Sequence, residues 1–301
     1  MTDTLRGIGF MTLAMAAFAT ADSMVKLAAK TLPTGQILTV LGAGGAMIFA
    51  LLLRSQGRPL FTSLWRHPGI MARNLSEIVG TIGIITALSL IPLSQLSAVM
   101  QAAPLIVTLG AAVFLGEAVG WRRWGVIVVG LIGVLIIVAP SPGDPLTFGT
   151  LMAVVGMLAL SCRDLSTRFA PKGAHTAEIA FLSMVASVFA GLMMTAYEQV
   201  PWPTPNLREA LILLFMVTSG GLAYFCVTAA MRLGDVSAVA PFRYTRIIFA
   251  FTLAVVIFGE VLTPRMLLGT ALIVAAGLYT LLRERKLAQI RAQTSRPETN
   301  V

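Results

Sequence analysis

Long apolar runs separated by short polar breaks make up most of the chain. We predict ten apolar segments, at residues 7–29, 36–53, 70–91, 94–115, 121–139, 147–169, 176–196, 208–231, 235–258 and 264–282. Each is close to the roughly 20 residues that a membrane-spanning helix needs, and none alternates as a barrel strand would. The breaks contain turn residues, for example Gly57-Arg58-Pro59. The pattern therefore predicts an all-α integral membrane protein with ten transmembrane helices.

A motif in the middle of the chain occurs a second time near its end. Ser97-Ala98-Val99 matches Ser237-Ala238-Val239, Gly116-Glu117 matches Gly259-Glu260, and Gly125 and Gly133 match Gly269 and Gly277, at offsets of 140 to 144 residues. Ordered matches at nearly one offset indicate an internal duplication. Each half holds five segments, an odd number, so the second half enters the membrane from the opposite side. Such inverted repeats are common in secondary transporters.

The repeat sets the expected domain organisation. Residues 1–143 form the first five-helix repeat, residues 144–282 form the second, inverted repeat, and residues 283–301 form a basic cytoplasmic tail that we expect to be disordered.

Composition and charge agree with this interpretation. The chain is 57% hydrophobic and 12% charged, whereas soluble domains carry roughly 25% charged residues. With a cytoplasmic N-terminus, 15 Lys and Arg residues lie on the inner side, 3 on the outer side and 4 within segments. That bias predicts that both termini are cytoplasmic. The net charge of +9 is then explained by membrane topology and does not indicate nucleic-acid binding.

Several of these motifs together are typical of one family. Residues Ala87 to Val99 read A-L-x-x-x-x-L-x-x-x-S-A-V, and L-G-E follows at 115–117. With ten segments in two halves, the chain resembles the drug/metabolite transporter superfamily, EamA type, over residues 7–282. The resemblance implies transport of small metabolites and amino acids, often outward, without an ATP site. Among subfamilies, the aromatic amino-acid exporters are the first choice.

Charged residues inside the apolar segments are the first candidates for function, because they are costly in lipid and usually face the protein interior. Arg243, Tyr244 and Arg246 lie on the ninth segment, roughly 12–17 Å from its cytoplasmic start. We expect at least one of the arginines to contact a substrate carboxylate. The alternative is a structural ion pair with Glu77, Asp164 or Asp22.

Other pathway candidates come from neighbouring segments. Ser97 and Gln101 lie on the fourth segment, and Ser237 occupies the position matching Ser97 in the second half. Glu77 is expected to bind a substrate ammonium or a coupling proton, or alternatively to form a structural pair, for instance with Arg73. Tyr224 is expected to stack on an aromatic substrate or to act in packing.

The remaining polar and proline positions have mainly structural expectations. Asp22, Lys26, Arg163 and Asp164 are expected to form intramembrane ion pairs. Pro104 and Pro241 are expected to kink their helices and to act as hinges, although proline is also common in transmembrane helices. Glu117 and Glu260 are expected to bond loops at helix ends.

Three functional hypotheses remain open. The first is a secondary transporter that exports amino acids, aromatic ones first, or related metabolites by alternating access. The second is an uptake carrier for a vitamin or a nucleoside-like metabolite on the same fold. The third, a membrane enzyme or receptor, is disfavoured because no Asp-x-x-Asp motif occurs and both histidines lie in loops. We expect no cofactor or metal, a monomer, a small-molecule substrate, and a bacterial inner-membrane location.

Overall fold

The computed structural model describes residues 2–60, 62–116, 120–139, 147–171, 173–233 and 236–294. All regular secondary structure in these ranges is helical. The α-helices are α1 (Thr2–Ala28), α2 (Thr34–Ser55), α3 (Pro68–Leu90), α4 (Leu93–Met100), α5 (Ala103–Phe114), α6 (Trp121–Val138), α7 (Phe148–Ser166), α8 (Thr176–Glu198), α9 (Leu207–Leu233), α10 (Val236–Val239), α11 (Arg246–Phe258) and α12 (Pro264–Thr294). Short 3₁₀ helices span Ser63–Arg66, Thr167–Phe169 and Ala240–Thr245.

Most of the expected spans are long and apolar enough to cross a membrane. Among the described residues, 8 segments meet this criterion, and the apolar part of α6, Trp124–Val138, is shorter. Two expected spans therefore fall short. In α3, Arg73 and Glu77 lower the mean hydropathy, and α6 begins with Arg122-Arg123. The fold is that of an all-helical integral membrane protein.

Two of the apolar segments are interrupted near their middle. The fourth is divided into α4 and α5 at Gln101–Ala102, and the ninth contains α10, the 3₁₀ helix Ala240–Thr245 and α11. Pro104 and Pro241 each lie in the first turn after an interruption. A residue without an N–H cannot donate to the preceding turn, so the regular α-helix does not continue through it. Both expected hinges coincide with these interruptions, and a gating role for them stays a prediction.

The helices pack mainly in four pairs: α1 with α9, α2 with α8, α3 with α7, and α6 with α12. Glycines allow close approach in several of these pairs. A Cβ added to Gly133 of α6 would lie 2.7 Å from the carbonyl oxygen of Gly269 in α12. A Cβ added to Gly83 of α3 would lie 2.9 Å from the Cα of Gly156 in α7. Larger side chains at these positions would push the helices apart.

Buried apolar side chains form different clusters at the two ends of the bundle. At the end where α1 finishes and α2 begins, one cluster joins α1, α2, α3, α4 and α9, and it includes Val25, Leu38, Leu88, Leu93 and Leu213. Toward the opposite end there are two separate clusters. One contains Phe49, Ile70 and Phe181, and the other contains Met11, Met15, Cys226 and Val239.

The last helix is longer than the expected span. The apolar segment ends near Leu282, but α12 continues to Thr294. The intervening sequence is rich in Leu, Arg, Glu, Lys, Ala and Gln, which are strong helix formers. The first part of the tail expected to be disordered is therefore helical, and residues 295–301 lie outside the described ranges.

Candidate functional site

The deepest cation that sequence analysis identified is paired across two helices. Nη2 of Arg246, at the start of α11, lies 2.5 Å from Oδ2 of Asp22 in α1. The Arg246 guanidinium also lies 5.4 Å from the centre of the Phe18 ring. The Nε atom of Arg246 is buried, and in the described part of the chain it has no hydrogen-bond partner. Of the three carboxylates considered as partners, the structure selects Asp22, because α1 packs against α11 and the 3₁₀ helix that precedes it.

Arg243 occupies a different environment from Arg246. It lies in the 3₁₀ helix between Pro241 and α11, and its side chain is exposed. In the part of the chain that the structure describes, no carboxylate lies within ion-pair distance of it. A charge that faces hydrocarbon is costly, so an exposed arginine in a membrane-spanning range is a candidate for contact with water or substrate.

The interrupted fourth and ninth segments contact each other at their breaks. Nε2 of Gln101 donates a hydrogen bond of 3.3 Å to the carbonyl oxygen of Tyr244. The Tyr244 ring packs directly against Gly277 of α12. The hydroxyl oxygens of Tyr244 and Ser97 are both buried, and neither has a hydrogen-bond partner within the described ranges. These three expected pathway residues therefore line the region of the breaks, whereas the side chain of Ser237 lies outside the described residues.

A second charged cluster joins α3 and α7. Glu77 is buried, and its Oε2 lies 3.3 Å from Nη1 of Arg163. Arg163 also contacts Asp164 Oδ1 through Nη2, at 2.7 Å. The alternative expectation of an Arg73–Glu77 ion pair is wrong. The Arg73 guanidinium instead donates hydrogen bonds to Thr167 Oγ1, at 3.0 Å, and to Ser183 Oγ. The packing of α3 on α7 brings Arg163 within reach of Glu77 and leaves Arg73 to face α8.

Tyr224 of α9 lies close to this second cluster. Its ring makes an edge-to-face contact with Phe49, with centroids 4.6 Å apart. Its hydroxyl donates to the carbonyl oxygen of Thr176 at 3.4 Å. The Tyr224 hydroxyl lies close enough to Arg73 and Arg163 to interact with their positive charges. These contacts are those of a packing residue, and stacking on a substrate stays a prediction.

A third charged cluster binds two helix ends together. Nζ of Lys26 donates to the carbonyl oxygens of Leu88, at 3.3 Å, and Ile91, at 2.5 Å, where α3 ends. Lys26 also lies 3.8 Å from Oε1 of Glu260. Glu260 in turn accepts hydrogen bonds from the backbone N–H groups of Leu93, at 2.7 Å, and Ser94, at 2.9 Å, and from the Ser94 hydroxyl at 2.6 Å.

Glu260 is thus an N-cap group supplied by a distant part of the chain. The sequence predicts loop bonding for Glu260 but does not identify α4 as the helix that it caps. The signal is the Gly-Glu pair that occurs in both copies of the repeated motif. Its counterpart, Glu117, lies outside the described residues. Glu198 makes a similar cap, accepting from the N–H groups of Thr34 and Gly35 at 3.1 and 3.0 Å.

No group of three His, Cys, Asp or Glu side chains suited to hold a metal ion occurs within the described ranges. An open pocket of about 270 Å³ lies between two loops, and none of the expected pathway residues lines it. Its lining residues are Thr62, Ser63, Leu64, His67, Pro171, Gly173, Ala174 and Glu178.

Proteins of known function that resemble the chain are transporters. It is 28% identical over 206 residues to the S-adenosylmethionine uptake transporter of Rickettsia bellii, covering 66% of this chain and 67% of that protein. It is 29% identical over 279 residues to the pseudopaline exporter CntI of Pseudomonas aeruginosa, covering 90% and 94%. It is 27% identical over 224 residues to the riboflavin transporter of Rhizobium johnstonii, covering 74% and 72%.

The fold and the family agree with these relatives. A solved crystal structure matches with a TM-score of 0.62 at 21% identity, covering 94% of this chain and 98% of that one. The sequence model of the EamA-like transporter family matches two stretches, residues 5–139 and 147–282. The expected resemblance is therefore confirmed: the chain belongs to the EamA-like transporter family and is an integral membrane transporter.

Proposed function

We propose that the protein is a secondary transporter that exports amino acids, aromatic ones first, or related carboxylate-bearing metabolites by alternating access. The observation that carries this proposal is the exposed Arg243, which has no carboxylate within ion-pair distance among the described residues, beside the partly exposed Arg246, at the interruption of a membrane-spanning segment. A fixed guanidinium at this depth needs an anion. A substrate carboxylate supplies one, and the planar guanidinium suits its two oxygens.

The architecture that we propose is the ten-span inverted repeat, with residues 1–143 and 144–282 as its halves. In the proposed repeat, α1 corresponds to α7, α2 to α8, α3 to α9 and α6 to α12. The pair α1 with α9 therefore corresponds to the pair α7 with α3. The pairs α2 with α8 and α6 with α12 correspond to themselves. All of these pairs are seen in the packing. The two separate stretches matched by the family model support the same division. So does the break at 101–102, which the offset of 140 places within the 3₁₀ helix Ala240–Thr245.

Topology and location follow from the distribution of positive charge. The ratio of 15 Lys and Arg on one side to 3 on the other supports cytoplasmic N- and C-termini in a bacterial inner membrane. We further propose that the protein acts as a monomer without a cofactor and is not an enzyme, since its named relatives are all transporters.

The direction of transport has a second candidate. Uptake of a nucleoside-like metabolite or a vitamin is favoured by the relatives named as S-adenosylmethionine uptake and riboflavin transporters. Export is favoured by the pseudopaline exporter, whose alignment covers the larger share of this chain.

Counterflow into proteoliposomes tests the proposal. Vesicles loaded with an unlabelled compound are diluted into the same compound in labelled form, and the panel contains L-phenylalanine, L-tryptophan, S-adenosylmethionine and riboflavin. We expect exchange of at least one amino acid, with loss of exchange in Arg243→Gln. The matched control is Arg208→Gln, which removes an exposed arginine near the start of α9. Exchange of riboflavin alone would refute carboxylate recognition and favour the second candidate.

Accumulation of substrate in everted and in right-side-out membrane vesicles then assigns the direction. An exporter accumulates its substrate in everted vesicles when the driving gradient is imposed. Accumulation only in right-side-out vesicles would contradict the export hypothesis.

A further inference from the structure

The Asp22–Arg246 pair differs from the other charged pairs inside the bundle. Lys26 and Glu260 are bonded to several backbone groups besides each other. Arg163 is shared between Glu77 and Asp164. By contrast, Asp22 and Arg246 are joined through one oxygen and one nitrogen in the part of the chain described.

Arg246 is also left with unused bonding capacity. A guanidinium carries five N–H donors on three nitrogens. One nitrogen of Arg246 is bonded to Asp22, and its Nε is buried with no acceptor among the described residues. A buried donor without a partner is unfavourable, so the site as it stands has a position for a further acceptor.

Both side chains of the pair are partly accessible. The exposed fractions are 26% for Arg246 and 19% for Asp22, although both residues lie within membrane-spanning ranges. Arg243 lies three residues before Arg246, on the same side of the segment, and it is exposed. A molecule that enters the space next to the pair therefore meets one carboxylate and two guanidiniums.

We propose that the Asp22–Arg246 pair is the receptor for an α-amino-acid head group, with Asp22 binding the substrate ammonium and Arg246, assisted by Arg243, binding the substrate carboxylate. This inference rests on the proposed transport function and specifies its substrate class. No covalent bond changes. One ion pair of the protein is exchanged for two ion pairs between protein and substrate, so total charge is conserved.

The exchange explains why a zwitterion suits the site better than a simple anion. A carboxylate alone that draws Arg246 away leaves Asp22 charged and without its partner, and an unpaired buried charge is strongly unfavourable. A zwitterion brings the compensating ammonium in the same molecule. The ammonium and the carboxylate of an α-amino acid lie on one carbon, so they fit two side chains that already touch.

The test compares amino acids with analogues that lack the ammonium group. The probes are L-phenylalanine with 3-phenylpropanoate, L-methionine with 4-(methylthio)butanoate, and S-adenosylmethionine, each measured by counterflow. For the wild type we expect KM to be at least about tenfold lower for the amino acid, the effect of one charged hydrogen bond. In Asp22→Asn, KM for the amino acid should rise by about tenfold or more. KM for the deaminated analogue should fall, because the variant has no aspartate charge to leave unpaired when Arg246 binds the carboxylate.

Two further variants distinguish recognition from a structural role. Asp3→Asn in the same helix removes an exposed carboxylate and should leave every KM unchanged. The charge-swapped double variant Asp22→Arg with Arg246→Asp retains an ion pair but exchanges its ends, so it should not restore amino-acid transport.

The outcomes separate the two levels of the proposal. If the wild type exchanges amino acids but Asp22→Asn alters both members of a probe pair equally, or the swapped variant transports as the wild type does, the pair is structural and this inference is wrong. If the wild type exchanges none of the carboxylate probes, the proposed function itself fails, and the head-group assignment fails with it.

Discussion

Replacing Glu260 with Gln should destabilise the protein at one end of the bundle. The substitution retains the shape of the side chain but removes its charge and one of two acceptor oxygens. The carboxylate accepts hydrogen bonds from the Leu93 N–H, the Ser94 N–H and the Ser94 hydroxyl at 2.7, 2.9 and 2.6 Å, and it lies 3.8 Å from Lys26. The Gln amide would point a donor at groups that are themselves donors.

The size of the effect follows from these contacts. Loss of an N-cap acceptor costs about 1 kcal/mol, and a hydrogen bond to a charged group contributes about 1.5–3 kcal/mol. Since one oxygen still accepts in the variant, we expect a loss of roughly 2–4 kcal/mol. At about 2–4 °C per kcal/mol for chains of 150–250 residues, the apparent Tm should fall by roughly 4–16 °C.

The assay is thermal unfolding of the purified protein in detergent, followed with a dye that reacts with thiols as the buried Cys226 becomes accessible. The matched control is Glu198→Gln, because Glu198 caps α2 through two backbone N–H groups and has no ion-pair partner in the described part of the chain. Glu260→Gln should therefore lower Tm more than Glu198→Gln does. Equal shifts in the two variants, or no shift in Glu260→Gln, would refute the reasoning.

Three further predictions follow from the topology, the second charged cluster and the glycine contacts. In a variant without native cysteines, a thiol reagent added outside intact cells should label cysteines introduced at Asp144 and Pro203 but not one introduced at His67. Labelling at His67 would overturn the proposed orientation. Glu77→Gln should be expressed normally but change the transport rate, its pH profile, or both, because Glu77 is the buried partner of Arg163. Wild-type transport rates at every pH would show that Glu77 has a structural role. Gly133→Ala should lower the free energy of unfolding by about 1–3 kcal/mol through overpacking, so its Tm should lie below that of Gly125→Ala, whose added Cβ meets nothing within 4 Å. Equal Tm values in the two variants would contradict close α6–α12 packing.

The positions of the helices could be predicted from sequence because each depends on a local run of residues. The expected span 36–53 compares with α2 at Thr34–Ser55, and the expected span 70–91 compares with α3 at Pro68–Leu90. The interruptions were foreseeable for the same reason, since proline acts on its own turn. The apolar run does not predict the extension of α12 to Thr294, because the run ends near Leu282 whereas strong helix formers continue the helix beyond it.

The partners of the charged residues could not be predicted in the same way. A charged residue in an apolar segment can be recognised from that segment alone, so the sequence identifies Arg246 and Glu77 as candidates. Which anion or cation each one meets depends on the rotation and register of helices far apart in the chain. The Arg246–Asp22 contact joins residues 224 positions apart, and the Leu93–Glu260 cap joins residues 167 positions apart.

The positions of the buried apolar clusters indicate which contacts must change when the protein alternates between its inward-open and outward-open conformations. At the end that carries Lys26, the cluster that joins α1, α2, α3, α4 and α9 is connected through Met100 to a cluster that includes Val134, Ile137 and Met266 of α6 and α12. The two clusters at the opposite end have no residue in common among the described residues. With the proposed cytoplasmic N-terminus, the bundle is closed toward the outside and divided toward the cytoplasm. If the halves are inverted repeats, exchanging their conformations would divide the outer cluster in the way the inner side is divided now. The Lys26–Glu260 contact lies at the closed end and joins the two halves, so opening toward the outside would require this contact to break.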